Sequence, residues 1–341
     1  MTEFNGWYLP IQYDGIIAEH HRTRQHCSIF DTCHMGRLEL TGADSLPAIS
    51  RLLTVDPARM SDGQCRYGFL LDDNAGILDD LVVYRFSAVR WWIIVNAATR
   101  LDDLAWMGTR LAGAATLADI TDGTAKVDVQ GPESPVVVSK LLQRDVTGLP
   151  RFRSAVVVWN GVDVVVSRTG YTGETGYELY VAAGQAERLW NAAMAAGAAP
   201  AGMGARDTLR IEAALPLYGH ELTRAVTPVE ARLDRFVTNP NDFVGRRVLL
   251  ARRDAAPTRL LAGFRLPDRR TARAGDAIMH EGREVGRITS ASFSPTLGYG
   301  IGLAYLDAAL TKAGQSVNVL TARGELRAEV QQTPFYRANG I

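Results

Sequence analysis

Apolar and polar positions repeat with two different periods along this chain, and the switches between them outline its elements. Residues 16–27 carry helical spacing, and Arg37 to Leu40 reads as a short strand. From Gly63 to Asn96 the pattern predicts two or three antiparallel strands. Their first turn is Asp72-Asp73-Asn74-Ala75-Gly76, rich in residues that tolerate turn geometry. Ile77 to Tyr84 and Trp91 to Val95 are rich in β-branched and aromatic residues. Residues 98–112 return to helical spacing, with Leu101, Leu104, Ala105, Leu111 and Ala112 on the predicted apolar face. Ala125 to Val129 predicts a strand. Gly131-Pro132 follows, and proline suits the first turn of a helix.

The clearest hairpin signal is Ala155–Trp159, Asn160-Gly161, Val162–Val166, because Asn-Gly accepts the two positive φ values of a type I′ turn. Residues 184–196 and 203–214 predict helices. Strands and helices mix through residue 240 without regular βαβ alternation, which predicts an α+β fold. After Phe243-Val244-Gly245-Arg246 the character changes. Residues 259–335 read as mostly β, with turns at Glu281-Gly282, Gly298 and Arg323-Gly324, as in a small antiparallel barrel or jelly roll. The predicted division is 1–245, an α+β region, and 246–341, an all-β domain.

Length supports more than one core: 341 residues exceed what one hydrophobic core usually serves. Apolar residues at 47% and charged residues at 22% argue against disorder as the main state. Lys plus Arg and Asp plus Glu both number 37, so the chain lacks the basic footprint of a nucleic-acid binder or a polybasic membrane anchor. No apolar run approaches a membrane span. The N-terminus lacks a basic start and apolar run, so no secretory signal is expected. Cys27, Cys33 and Cys65 make no disulfide framework and no Cys-x-x-Cys pair, which fits reduced thiols in a cytoplasm. The histidines show no metal-ligand spacing, so no metal is expected.

Four polar stretches stand out. In Gly76-Ile77-Leu78-Asp79-Asp80-Leu81-Val82-Val83-Tyr84, period two sends one aspartate to each face, and an inward carboxylate must be paired or used. A solvated sheet edge would explain the same pattern. Arg168 to Leu179 carries glycines 170, 173 and 176, which would let backbone approach a ligand or simply form a long loop. In Gly202 to Glu212, Arg206 near a helix start suits an anionic group, while Asp207 and Glu212 offer an intrahelical salt-bridge alternative. His220-Glu221 lacks the second histidine of a metalloprotease signature.

Together with further segments in order along the chain, these stretches resemble the aminomethyltransferase (T-protein) family. The segments include Phe4-Asn5-Gly6-Trp7, Phe30 to Gly36, Val95-Asn96-Ala97, Gly204 to Asp207, Pro216 to Leu222, Thr227 to Glu230, Ser294 to Leu297 and Pro334-Phe335-Tyr336. Thr32-Cys33 departs from the family's usual Val-Ser, and Arg232 and Thr238 stand where Gly and Lys are common.

The resemblance implies three domains in a cloverleaf around a tetrahydrofolate pocket. It implies a catalytic role for Asp80, beside the reactive folate nitrogens. It implies folate contacts for Glu178 and Arg206, pocket-lining places for Tyr171, Asn96, Tyr67 and Met35, and a reach towards the folate tail for Arg337. The implied reaction takes an aminomethyl group from the lipoyl arm of a carrier, the H-protein, to tetrahydrofolate and releases ammonia. Tetrahydrofolate is then a co-substrate, and neither metal, nucleic acid nor membrane takes part. The oligomeric state stays open, with a monomer among the readings. The alternatives are a folate-dependent demethylase acting on a small methylated donor, and a non-enzymatic folate-binding factor for iron–sulfur assembly. The latter carries a late cysteine segment, and here no cysteine follows Cys65.

Overall fold

The alternation of Ala125, Val127 and Val129 with Lys126, Asp128 and Gln130 builds a strand, Thr124–Gln130, with one apolar and one polar face. The computed structural model describes residues 1–111, 113 and 115–338. This strand lies inside a six-stranded sheet ordered Ser154–Trp159, Val162–Ser167, Gly176–Ala182, Thr124–Gln130, Ser28–Asp31, Ala199–Pro200. Only its last pairing is parallel. Val127, Val129, Val166 and Leu179 bury against helices Ser134–Leu142 and Ala186–Ala196. The polar face turns the other way.

It meets a second sheet of five strands, ordered Cys65–Leu71, Ile77–Ser87, Arg90–Val95, Gly36–Thr41, Thr116–Asp119. Leu38, Leu81, Val83, Ile93 and Val95 pack under helices Ser45–Ser50 and Arg100–Leu111. The opposite face, carrying Tyr67, Asp80, Val82 and Tyr84, looks onto the first sheet. Tyr180 from the six-stranded sheet meets Tyr84 and Trp92 edge to face, at centroid distances of 5.8 and 5.7 Å. The chain enters the first sheet at Ser28, builds the second, and returns at Thr124, so neither sheet is one continuous segment.

The predicted helix forms as Arg100–Leu111, but on a rotated face. Asp103, Met107 and Leu111 are buried and Leu104 is half-buried, whereas Leu101 is 70% exposed and Ala105 is exposed. The buried row runs at intervals of four and begins with an acid, which an apolar stripe could not include. Ala112 lies outside the described residues. Pro132 sits in the turn before its helix; Pro135 occupies the first turn instead. The Asn160-Gly161 hairpin forms with φ of 49° and 82°, as the residue types predicted.

Beyond residue 258 six antiparallel strands close into a barrel, Arg259–Arg265, Gly300–Asp307, Arg283–Phe293, Ala277–His280, Ser316–Thr321, Gly324–Gln331. Phe264, Ile278, Ile288, Val319 and Val330 fill it. Helix Met203–Glu212 fastens barrel to sheets. Arg210 Nη2 donates to Ser290 Oγ at 2.8 Å, and Thr296 Oγ1 donates to Glu212 Oε2 at 2.9 Å. The architecture is therefore α+β with a C-terminal closed barrel. No described helix is long and apolar enough to cross a membrane.

Candidate active site

The strand Ile77–Ser87 is interior to its sheet, which rules out the solvated edge for its two aspartates. Asp79 is fully buried on the helix side, and Asp80 points between the sheets. Tyr67 Oη donates to Asp80 Oδ2 at 2.9 Å, and Asn96 Nδ2 donates to Asp80 Oδ1 at 2.8 Å. Asn96 Nδ2 also reaches Asp79 Oδ1 at 2.8 Å, and Asn96 N donates to Asp79 Oδ2 at 2.9 Å. Asn96 thus clamps both carboxyls. Burial, then the neighbouring Asp79, pushes the Asp80 carboxyl up to about 7, against the pull of Tyr67 and Asn96. Such a group exchanges a proton near neutrality.

Across from it lies a second polar cluster, on the six-stranded sheet. Lys126 Nζ donates to Asp128 Oδ1 and, at 2.9 Å, to Glu178 Oε1. Arg206 Nη1 donates to Asp128 Oδ2 at 3.1 Å. Glu178 Oε2 accepts from Thr169 Oγ1 at 2.7 Å, Tyr84 Oη at 3.0 Å and Tyr180 Oη at 3.2 Å. Two cations and two carboxylates therefore balance. Burial alone would raise Asp128, but Lys126 and Arg206 hold it below the usual carboxylate range.

Tyr171 sits between the clusters. Its ring lies under the Arg206 guanidinium, 4.6 Å from the centroid, and its phenol lies within electrostatic range of Asp80. Met35 packs against the Tyr84–Tyr180 end. His34 is buried beside Lys126 and Arg206. Burial, then Arg206 and Lys126, holds its imidazole down to about 3, and its Nδ1 has no hydrogen-bond partner among the described residues. Arg337 is exposed and forms no ion pair among the described residues, whereas Tyr336 N is anchored on Glu212 O at 2.9 Å.

Seven of the predicted residues thus share one region: Asp80, Tyr67, Asn96, Tyr171, Arg206, Glu178 and Met35. Arg337 lies apart, following Tyr336 at the C-terminal end of helix Met203–Glu212. Two expectations change. The N–H groups opening helix Met203–Glu212 are not free for an anion: Gly202 N donates to Glu19 Oε2, and Met203 N and Gly204 N to the carbonyls of Pro10 and Ile11. Arg206 pairs with Asp128 on another element, and the intrahelical salt bridge forms instead between Arg210 and Asp207, at 2.8 Å. Glycines 170 and 176 make room for the Gln130 side chain, which a Cβ at either position would strike at 2.1–2.2 Å.

Residues 1–240 match the GCVT N-terminal domain, and residues 259–337 match the Glycine cleavage T-protein C-terminal barrel domain. The chain belongs to the glycine cleavage T-protein family. It is 38% identical to an aminomethyltransferase of Desulforamulus reducens, covering 99% of this chain and 94% of the relative. It is 40% identical to one of Moorella thermoacetica, with the same two coverages. The crystal structure of glycine cleavage system aminomethyltransferase T from Bartonella henselae superposes with a TM-score of 0.93 at 28% identity. That match covers 99% of this chain and 94% of the other. The family assignment makes this chain an aminomethyltransferase, in preference to the demethylase and iron–sulfur alternatives.

Sequence reasoning missed Lys126, Asp128 and the buried His34 as parts of this region. The first two had a signal: alternate polar residues in an otherwise apolar strand, on the face ordinarily given to solvent. His34 had none beyond its neighbours.

Proposed function

We propose that this chain moves the methylene carbon of an aminomethyl group, delivered on the lipoyl arm of an H-protein, to tetrahydrofolate with release of ammonia, and that Asp80 is its catalytic carboxyl. The observation that carries this is the pairing of a proton-labile carboxyl at Asp80 with a charge-balanced cluster at Glu178 on the facing sheet. A pterin offers several N–H donors along a flat edge, which carboxylate oxygens accept. The ring of Tyr171 and the thioether of Met35 supply flat and adaptable apolar contact. The unpartnered Nδ1 of His34 is a buried polar atom that a ligand group would satisfy. The residues therefore fit the co-substrate, and exposed Arg337 suits the carboxylates of its tail.

Bound tetrahydrofolate supplies the nucleophilic nitrogens. The chain's own residues orient and exchange protons. Asn96 and Tyr67 fix the Asp80 carboxyl, which accepts a proton from the reacting centre or stabilises positive charge there. A placed acid–base group contributes about 10²–10⁴-fold. Glu178 and Arg206 hold the ring, so that affinity is separable from turnover. The same reading divides the chain into a folate-binding region, 1–245, and a barrel domain, 246–341. The free thiols Cys27, Cys33 and Cys65 fit a reducing cytoplasm.

The test is direct. The chain is incubated with tetrahydrofolate and aminomethyl-loaded H-protein, and ammonia and methylenetetrahydrofolate are followed. Both should form in equal amounts. Asp80→Asn should bind tetrahydrofolate and lose about 10²–10⁴-fold in turnover. Full activity in that variant would remove Asp80 from the chemistry.

A further inference from the structure

We infer that Asp79 and Asp103 form a buried carboxyl pair sharing one proton, and that this pair acts as a positioning device that sets the charge state of Asp80 through Asn96. The inference rests on the reading of Asp80 given above and adds two residues behind the sheet that touch no substrate.

Asp79 is fully buried and Asp103 is 3% exposed, on the helix side of the five-stranded sheet. Their carboxyls lie within hydrogen-bonding reach of each other. Asp103 Oδ2 has no hydrogen-bond donor among the described residues. Both oxygens of Asp79 already accept from Asn96, through its backbone N–H and its amide. Two ionised carboxylates side by side under the sheet repel each other, and one proton between them supplies a donor.

The charged and titratable groups around this pair are few. Asp102 and Arg224 face Asp103, and Tyr218 faces Asp79. Tyr67 and Tyr171 face Asp80 from the other side of the sheet. Asp103, Asp102, Tyr218 and Arg224 line a cavity of about 280 Å³ whose lining does not include Asp80. The shared proton can therefore exchange with solvent without crossing the reaction site.

With one proton the pair carries one negative charge. That charge stands next to Asp80 in the chain and is tied to it by a single amide, since Asn96 Nδ2 donates to both Asp79 Oδ1 and Asp80 Oδ1 at 2.8 Å. A fixed like charge disfavours ionisation of Asp80, so the pair keeps Asp80 able to take up a proton near neutral pH. A merely structural pair would hold Asn96 in place and leave that proton equilibrium alone.

The experiment follows the Asp80 carboxyl directly. The protein is labelled with ¹³Cγ-aspartate, the Asp80 resonance is identified by its loss in Asp80→Asn, and its titration midpoint is measured without ligand. Asp79→Asn, and the double variant Asp79→Asn/Asp103→Asn, remove the pair's charge and should lower the midpoint by about one pH unit. Asp103→Asn removes the other half of the pair; burial by itself pushes the Asp79 carboxyl well up, so the pair's charge is lost here too and the midpoint should fall in the same sense. The acid limb of folate-dependent turnover should move in the same sense. A midpoint that stays put in the double variant, or in Asp103→Asn, overturns the inference. The Asp103→Asn arm stands even where Asp79→Asn fails to fold. Full turnover in Asp80→Asn would instead discard the role of Asp80, a separate outcome from the titration.

Discussion

The two facing sheets each place buried carboxyls in the space between or behind them, and they treat those carboxyls in opposite ways. Around Asp80 the neighbours are another carboxyl, two phenols and an amide, and burial pushes Asp80 up to about 7. Around Glu178 and Asp128 the neighbours include Lys126 and Arg206, and Asp128 is held below the usual carboxylate range despite its burial. Burial raises both carboxyls; the cationic partners reverse that at Asp128, and Asp80 has none to do so. One side of the site is free to trade a proton, and the other presents fixed, balanced charge suited to holding a polar ring.

The harshest way to break this contrast is to remove the cation. Lys126→Met leaves two buried carboxylates with one partner fewer, and breaking a buried pair in this way typically costs about 3–5 kcal/mol. Denaturant unfolding should show that loss at pH 7. Adding Asp128→Asn should recover much of it, because the orphaned charge goes too. A single variant as stable as the wild type would mean that Lys126 balances nothing.

The contrast also has a signature in the pH dependence of stability. Asp80 and Asp103 are both pushed up to about 7, by burial first, whereas an unfolded aspartate titrates near 4. The native state holds protons that the unfolded chain has released, so the contribution of these two groups is full below about 4 and falls as pH rises towards 7. Asp128 is shifted the other way: its contribution is present above about 4 and is lost as pH falls through its lower native value. Asp103→Asn should flatten the decline between about pH 4 and 7, by on the order of 1–2 kcal/mol. Asp128→Asn should leave that window unchanged and blunt the loss in acid. Unfolding curves collected from pH 3 to 7.5 would separate the two.

A smaller change tests whether the fixed side binds as well as balances. Arg206→Lys keeps the charge opposite Asp128 but loses the planar guanidinium stacked on Tyr171. Tetrahydrofolate affinity should fall about tenfold, or about 1.4 kcal/mol, with kcat little changed. Calorimetric titration gives the first quantity and the ammonia assay the second. A drop in kcat at unchanged affinity would move Arg206 to the proton-trading side.

Much of this was legible in the sequence because the elements obey their periods. The Asn160-Gly161 hairpin, the barrel turns and the helix carrying Arg206 follow from local chemistry. The carboxyl strand was legible as a conflict, two acids in an apolar run, although not which acid faced which way. What stayed hidden depends on contacts distant in the chain. Lys126 and Asp128 look like the solvated face of a half-buried strand until a second sheet covers them. Asp103 looks like a surface residue of an amphipathic helix, and its burial rotates that helix away from the apolar stripe containing Leu101. Gln130 explains the glycine spacing from 170 to 176, yet nothing near those glycines in sequence points to it.

The gentlest test touches a single hydroxyl. Tyr67 Oη donates to Asp80 Oδ2 at 2.9 Å, and its ring packs edge-on against Phe69 and Phe236 at centroid distances of 5.3 and 4.9 Å. Phenylalanine keeps both ring contacts and deletes the donor. An ionised carboxylate loses more from that deletion than a neutral acid does, so the Asp80 midpoint should rise, by about 0.5–1 pH unit. That is opposite in sign to the effect expected of Asp79→Asn. On the facing sheet, Tyr180→Phe removes a donor from Glu178 but leaves its 2.9 Å ion pair with Lys126, and the pH profile of turnover should not move. Equal shifts in the two variants would mean that hydroxyl donors govern both sides alike. The distinction between a proton-trading sheet and a charge-fixed one would then have no basis.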